Sequence, residues 1–67
     1  MNKRVEKALN DQIKMEASSS QFYLAMASWC DRHGFDNSAN FFYRQGEEER
    51  EHMMKIFKYI NDLGGAA

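Results

Sequence analysis

The chain has 67 residues, no proline, four glycines and a formal net charge of −1. A chain of this length forms at most one domain, and one core of this size is marginally stable without a partner. There is no basic surface for nucleic acid and no apolar run long enough to span a membrane. The charged N-terminus lacks a secretory signal, and the single cysteine, Cys30, excludes an internal disulfide. We therefore expect a cytoplasmic protein.

The first half of the chain has the apolar periodicity of one long helix. Its core-facing positions recur at spacings of three and four residues, and they are Val5, Leu9, Ile13, Glu16, Ser20, Tyr23, Ala27 and Cys30. The pattern ends before Gly34, which stands where helices commonly close with a left-handed residue. His33 in this last turn suits the helix dipole, which favours a structural role over a ligand role.

A second helical pattern follows a connection of about four residues, with Asp36 as the expected N-cap. Its core-facing positions are Ala39, Phe42, Gly46, Glu49, Met53, Ile56, Ile60 and Leu63. So short a connection forces the two helices to run antiparallel. The sequence therefore predicts an all-α fold in which residues 1–67 form a single antiparallel two-helix hairpin.

Three ionisable residues interrupt these apolar faces. Glu49 and His52 lie one turn apart on the same face of the second helix. Glu16 lies on the first helix, level with them to within about one helical turn when distances are counted from the hairpin turn. A buried carboxylate is costly unless it is paired or bound to a metal. We therefore expect Glu16, Glu49 and His52 to meet and to bind a metal.

One hairpin supplies only half of such a site. Two antiparallel helices form one layer, and a second copy related by a twofold axis is the simplest cover for its inner face. The resulting homodimer would be a four-helix bundle with two Glu16 residues and two Glu49-x-x-His52 pairs, the ligand set of carboxylate-bridged dimetal proteins. Its four carboxylates would neutralise two divalent ions.

Three segments of the sequence resemble ferritins, particularly bacterial non-haem ferritins. Residues 10–23 (NDQIKMEASSSQFY) resemble the first ferritin helix, residues 29–35 (WCDRHGF) the following loop, and residues 48–52 (EEREH) the ferroxidase segment of the second helix. The resemblance covers essentially the whole chain. Ferritin subunits are more than twice as long, so the chain resembles the N-terminal half of a subunit.

The resemblance implies a role for each matching residue. Glu16 would be a terminal ligand of one iron, Glu49 would bridge two irons, and His52 would bind the same iron as Glu16. Tyr23 matches the tyrosine that lies beside the ferritin centre. Glu48 matches an acidic position that binds an accessory iron in some bacterial ferritins.

These expectations describe a ferroxidase that binds two irons per dimer and oxidises Fe(II) with dioxygen. No haem is expected, because Arg50 stands where haem-binding relatives carry a methionine after the bridging glutamate. Two other functions fit the same residues. The dimer could bind a divalent metal without turnover, or the apolar faces could serve assembly alone. Structural alternatives also remain for Tyr23, as a core tyrosine, and for Glu48, as part of an exposed acidic face.

Overall fold

The computed structural model describes residues 1–67 as two long helices, α1 (Lys3–Arg32) and α2 (Asp36–Asp62). They run antiparallel and pack along their length, so the predicted all-α hairpin is confirmed. The molecule measures 48 × 15 × 10 Å and has a radius of gyration of 14.8 Å. A compact chain of this length would have a radius of gyration of about 11 Å. The hairpin is therefore a rod one helical layer thick.

Capping groups define the ends of the helices. Asn2 begins α1, and its side-chain oxygen accepts the backbone N–H groups of Arg4 and Val5 at 2.7 and 3.3 Å. Gly34 and Gly64 follow the two helices in left-handed conformations, with φ of 79° and 80°. Glycine adopts this conformation without strain. The sequence correctly placed Gly34 at the end of the first helix.

The start of α2 differs by one residue from the sequence prediction. The predicted N-cap, Asp36, lies inside the first helical turn, and Phe35 occupies the cap position without a side-chain capping bond. The helix starts early because Phe35 is already held by its backbone, donating to the Cys30 carbonyl at 2.9 Å and accepting from Ala39 at 2.8 Å. The Asp36 carboxylate still interacts favourably with the helix dipole from the first turn.

The contact between the helices, which we call the seam, is built from small and aliphatic residues. Its buried members are Ile13, Ala27, Cys30, Ala39, Gly46 and Ile60, all from the predicted core-facing positions. The Ser20 hydroxyl donates to the Gly46 carbonyl across the seam at 2.9 Å. A Cβ on Gly46 would lie 3.2 Å from the side chain of Leu24. The helices therefore approach closely about one turn from Glu16 and Glu49.

The side of the layer that carries Glu16, Glu49 and His52, which we call the open face, leaves large apolar side chains exposed. Its exposed members are Met15, Phe22 and Trp29 on α1 and Phe41, Tyr59 and Leu63 on α2, each 49–63% exposed. The α1 members recur every seven residues along the edge that points away from α2. Neither helix is apolar enough over a sufficient length to cross a membrane.

An aromatic row crosses the open face from one helix to the other. Ring centroids are 6.2 Å apart between Phe22 and Tyr23, 6.3 Å between Tyr23 and Phe42, and 5.3 Å between Phe42 and Phe41. These distances fall within the range of favourable aromatic pairs. The row therefore links α1 to α2 on the face that the seam does not fill.

The last residues of the chain pack against the start of α1. The Ala66 N–H donates to Glu6 Oε1 at 2.8 Å, and Asn10 Nδ2 donates to the Ala66 carbonyl at 2.9 Å. A Cβ on Gly65 would approach both Glu6 and Ile60 to 2.9 Å, so only glycine fits there without a shift. The bond from Ala66 lowers the pKa of the Glu6 carboxyl. These contacts tie the two ends of the hairpin together.

Candidate metal centre

Glu16, Glu49 and His52 come together near the middle of the rod. One oxygen of each carboxylate and one ring nitrogen of the histidine lie within 4.8 Å of one another. Glu49 is the central residue of α2, and Glu16 lies within two residues of the midpoint of α1. The structure thus brings together the three residues that were grouped from the sequence. Their role as metal ligands stays a prediction.

The two oxygens of Glu16 have different environments. Gln12 Nε2 donates to Oε1 at 2.9 Å. Oε2 is buried and has no hydrogen-bond donor, because His52 Nδ1 lies 3.9 Å away, beyond hydrogen-bonding distance. A buried acceptor without a partner costs stability. A metal ion placed among the three side chains would satisfy Oε2, as would any hydrogen-bond donor there, including a water molecule or a proton on Glu49 or His52.

The two glutamates form an electrostatically coupled pair. When protonated, the Glu49 carboxyl can donate to Glu16, and this hydrogen bond, together with burial and the negative charge of Glu16, raises the pKa of Glu49. The same hydrogen bond, assisted by the bond from Gln12, lowers the pKa of Glu16. The opposite shifts indicate that the first proton taken up by this pair binds mainly at Glu49. A divalent cation can displace that proton, so metal binding here is coupled to proton release. The donor set, with two carboxylates and one imidazole, suits a first-row divalent metal.

His52 and Tyr23 lie on the same open face but in different surroundings. The His52 side chain is 56% exposed, whereas that of Glu16 is 15% exposed, so the imidazole lies at the rim of the cluster. Tyr23 is half-buried within the aromatic row and stacks on Phe42. No hydrogen bond joins its hydroxyl to Glu16 or Glu49. The structure therefore gives Tyr23 the contacts of a packed aromatic residue close to the cluster.

Glu48 is not one of the three residues whose ligand atoms converge, and its role as an accessory ligand stays a prediction. Its side chain is exposed, as are those of Glu47 and Glu51. This exposure also fits the alternative interpretation of these residues as an exposed acidic face. His33 also has a structural environment, because its ring stacks on Trp29 with centroids 4.1 Å apart and its Nδ1 lies 2.7 Å from the Trp29 carbonyl oxygen.

Gln12 contacts the site but was not among the residues predicted from the sequence. Gln12 precedes Glu16 by four residues, a spacing that places two side chains on the same face of a helix. This spacing was the available signal. It is weak, because polar pairs four residues apart occur along many exposed helices.

The chain belongs to the ferritin-like family, because residues 6–67 match the ferritin family, described as a ferritin-like domain. It is 43% identical over 67 residues to a probable bacterial non-heme ferritin-like protein of Haemophilus influenzae and 45% identical to the bacterial non-heme ferritin of Staphylococcus aureus. The matches cover 100% of this chain and 41% and 40% of these relatives. The resemblance inferred from the sequence is confirmed.

A solved structure supports the same relationship. The chain superimposes on Chlorobium tepidum ferritin with a TM-score of 0.94 and 42% sequence identity, covering 100% of this chain and 41% of that one. The chain thus spans about two fifths of the length of the relatives it matches and corresponds to their N-terminal portion.

Proposed function

We propose that two copies of this chain form a four-helix bundle that binds two Fe(II) ions and oxidises them with dioxygen. The observation that carries the proposal is the convergence of Glu16, Glu49 and His52 within 4.8 Å in a ferritin-like chain. The buried Oε2 of Glu16, which has no donor, is an acceptor that a bound cation would satisfy. Iron is the substrate suggested by the bacterial non-heme ferritins to which the chain is similar.

The shape and surface of the hairpin support a second copy as the cover of the open face. The chain exposes 5075 Å², whereas a compact protein of this mass exposes about 4,400 Å². Much of the excess follows from the single-layer shape and from the exposed aromatic residues of the open face. Covering that face with the same face of a second hairpin would bury both sets of apolar side chains and make two layers.

The position of the cluster also supports twofold pairing. A twofold axis that passes through the middle of the rod, perpendicular to it, brings the middle of one hairpin against the middle of the other. Because Glu16 and Glu49 lie at the middle of their helices, the two clusters would meet there. A cluster near either end of the rod would instead be separated from its copy by most of the molecular length.

The paired clusters have the charge and donors for two metal ions. Two copies of Glu16 and Glu49 supply four negative charges, which two Fe(II) ions balance while His52 stays neutral. We propose that Glu16 and His52 of one chain bind each ion and that Glu49 bridges the two. Two ions held side by side supply two electrons to one dioxygen molecule. The aromatic row and its copy would exclude water from either side of the centre.

Tyr23 and Glu48 have secondary roles in this proposal. Tyr23 lies about two turns from Glu16 on α1. Through its stack on Phe42 it would close the side of the centre nearer to the hairpin turn. Glu48 is exposed beside the bridging Glu49 and would bind iron only transiently as it arrives or leaves. Glu48→Ala should therefore slow iron uptake while leaving two tightly bound ions per dimer, as measured by anaerobic titration.

Anaerobic Fe(II) titration followed by rapid mixing with oxygen tests the main proposal. We expect saturation at two ions per dimer and oxidation faster than in buffer. His52→Ala should weaken binding and slow oxidation, whereas Glu47→Ala should change neither, because Glu47 is exposed outside the cluster. Stoichiometric binding without faster oxidation would show a metal-binding dimer instead. If Fe(II) did not bind at all, the result would favour a protein whose apolar faces serve only assembly.

A further inference from the structure

We infer that Gln12 is a positioning residue for Glu16, holding one carboxylate oxygen so that only the other is presented to the metal. The inference rests on the proposed metal-binding function and specifies how one ligand is oriented. Nothing in the spacing of the ligands themselves requires a residue at this position. The observation behind it is that the two oxygens of Glu16 have unequal surroundings.

The hydrogen bond from Gln12 distinguishes the two oxygens. Gln12 Nε2 lies 2.9 Å from Oε1, and its NH₂ group must face the carboxylate because a carboxylate oxygen can only accept. Oε2 is buried, has no donor and lies 3.9 Å from His52 Nδ1. One oxygen is therefore directed by the helix that carries it, and the other points to the place where the three ligand atoms converge.

This arrangement determines how Glu16 can bind. Because Oε1 already accepts a hydrogen bond, which makes it the weaker donor to a metal, Glu16 would bind preferentially through Oε2 instead of chelating through both oxygens. Single-oxygen binding leaves a coordination position open for dioxygen or water. The bond also fixes the carboxylate before the metal arrives, which lowers the entropy lost on binding.

The chemical type of the donor matters as much as its position. A glutamine is neutral, so it orients Glu16 without neutralising the negative charge that attracts the cation. A lysine at the same position would form an ion pair with Glu16 and compete with the metal. Gln12 also lies on the open-face edge of α1, three residues before Met15, where a second hairpin would cover it. A neutral amide can be covered at lower cost than a charge.

A change in Co(II) affinity separates positioning from an ordinary surface contact. An exposed polar pair four residues apart stabilises a helix by only about 0.2–0.5 kcal/mol, whereas partners that orient metal ligands typically change metal affinity about 10–100-fold. Gln12→Met keeps the length of the side chain and removes its donor. We expect the variant to keep its helix content and sedimentation behaviour but to bind Co(II) about 10-fold more weakly.

Gln21→Met is the matched control. Gln21 is an exposed glutamine of α1 that makes no contact with the cluster, so its replacement should leave the Co(II) affinity unchanged. The visible spectrum of bound Co(II) gives a second readout, because it reports the number of coordinating atoms. Release of Oε1 in Gln12→Met should change that spectrum, and the control should retain the parent spectrum.

A double-mutant cycle with Glu16→Ala completes the test. If Gln12 acts through Glu16, Gln12→Met should cause no further loss of Co(II) affinity once Glu16 is absent. A further loss in that background would show that Gln12 binds the metal itself and would overturn the inference. Equal affinities for the parent and Gln12→Met would overturn it while leaving the proposed function intact. Failure of the parent to bind Co(II) would overturn both.

Discussion

The seam and the open face are opposite outcomes of packing on the same two helices. Seam residues are small or aliphatic, and Ala27 and Ile60 are completely buried within one chain. Open-face residues include large rings, and Phe22 remains 63% exposed. The seam residues are buried within one hairpin, so their packing determines how α1 and α2 associate. This hairpin leaves the open face uncovered, and we propose that a second copy covers it.

Polar groups follow the same division. At the seam the Ser20 hydroxyl finds its acceptor on Gly46 within the chain. On the open face, Glu16 Oε2 is buried without a donor. The unsatisfied polar atom therefore belongs to the face that one hairpin leaves uncovered.

The largest expected effect comes from placing a charge on the open face. Phe22→Glu removes a side chain that contributes about 1.5–3 kcal/mol when buried, and a twofold dimer loses it twice. We expect dimer dissociation constants, measured by analytical ultracentrifugation, to rise by about 10²-fold or more, with helix content retained. Met54→Glu is the control, since Met54 is equally apolar but lies beside Glu47 and Arg50 on the outer surface. Equal weakening by both variants would contradict the assignment of the open face.

Removing the bridging carboxylate should have the next largest effect. A divalent metal present at about 100 times its dissociation constant stabilises the folded dimer by about 2.7 kcal/mol, a rise in Tm on the order of 10 °C. Glu49→Ala should lose most of this rise in thermal melts with Co(II). Its metal-free Tm should equal or exceed that of the parent, because one buried charge is gone. An undiminished metal-induced rise would place the metal elsewhere.

Gly46→Ala tests how tightly the seam is packed. The added methyl group would lie 3.2–3.3 Å from Leu24 and 3.4 Å from the Ser20 carbonyl. Leu24 is 37% exposed and can move outward, while alanine favours the helix over glycine by about 0.5–1 kcal/mol. We therefore expect a small net stabilisation by chemical denaturation. Gly46→Val should destabilise the hairpin, because movement of Leu24 alone cannot make room for the larger side chain. If the valine variant were more stable than the alanine variant, the seam would be more loosely packed than the structure indicates.

The smallest effect concerns the end of the rod. The pKa of Glu6 is lowered by the bond from the Ala66 N–H, so its contribution to stability is present above the unfolded pKa and is lost as pH falls through the folded pKa. Glu6→Gln should flatten this acid-dependent part of the Tm profile. Amide exchange at Ala66 should be faster in the variant. An unchanged profile would show that the Glu6 carboxylate does not help to hold the C-terminal residues in place.

The hairpin could be predicted because several independent signals agreed. The three-and-four spacing of apolar residues covers most of the chain, and Gly34 interrupts it once at a plausible turn. The N-cap of α2 was predicted at Asp36 because aspartate is a preferred capping residue. The helix begins one residue earlier because backbone hydrogen bonds already hold Phe35 after the turn at Gly34. Residue type alone does not reveal which backbone groups are already satisfied.

The candidate centre was predictable only in part for a similar reason. Helical spacing places Glu16 opposite Glu49 and His52, since position along a helix is proportional to residue number. Which oxygen of Glu16 is held, and by which neighbour, depends on side-chain rotamers that spacing does not determine. For this reason the contact of Gln12 with Glu16 was found only in the structure.

The mid-length position of the cluster has a genetic consequence. In a bundle of two such hairpins, each ligand is encoded once and used twice, so a single codon change alters both halves of the centre. The two metal positions are then obliged to be equivalent. A centre that needs one tight and one exchangeable position requires two different sequences, which a longer chain carrying two unequal hairpins supplies. Symmetry therefore limits how far this centre can be tuned.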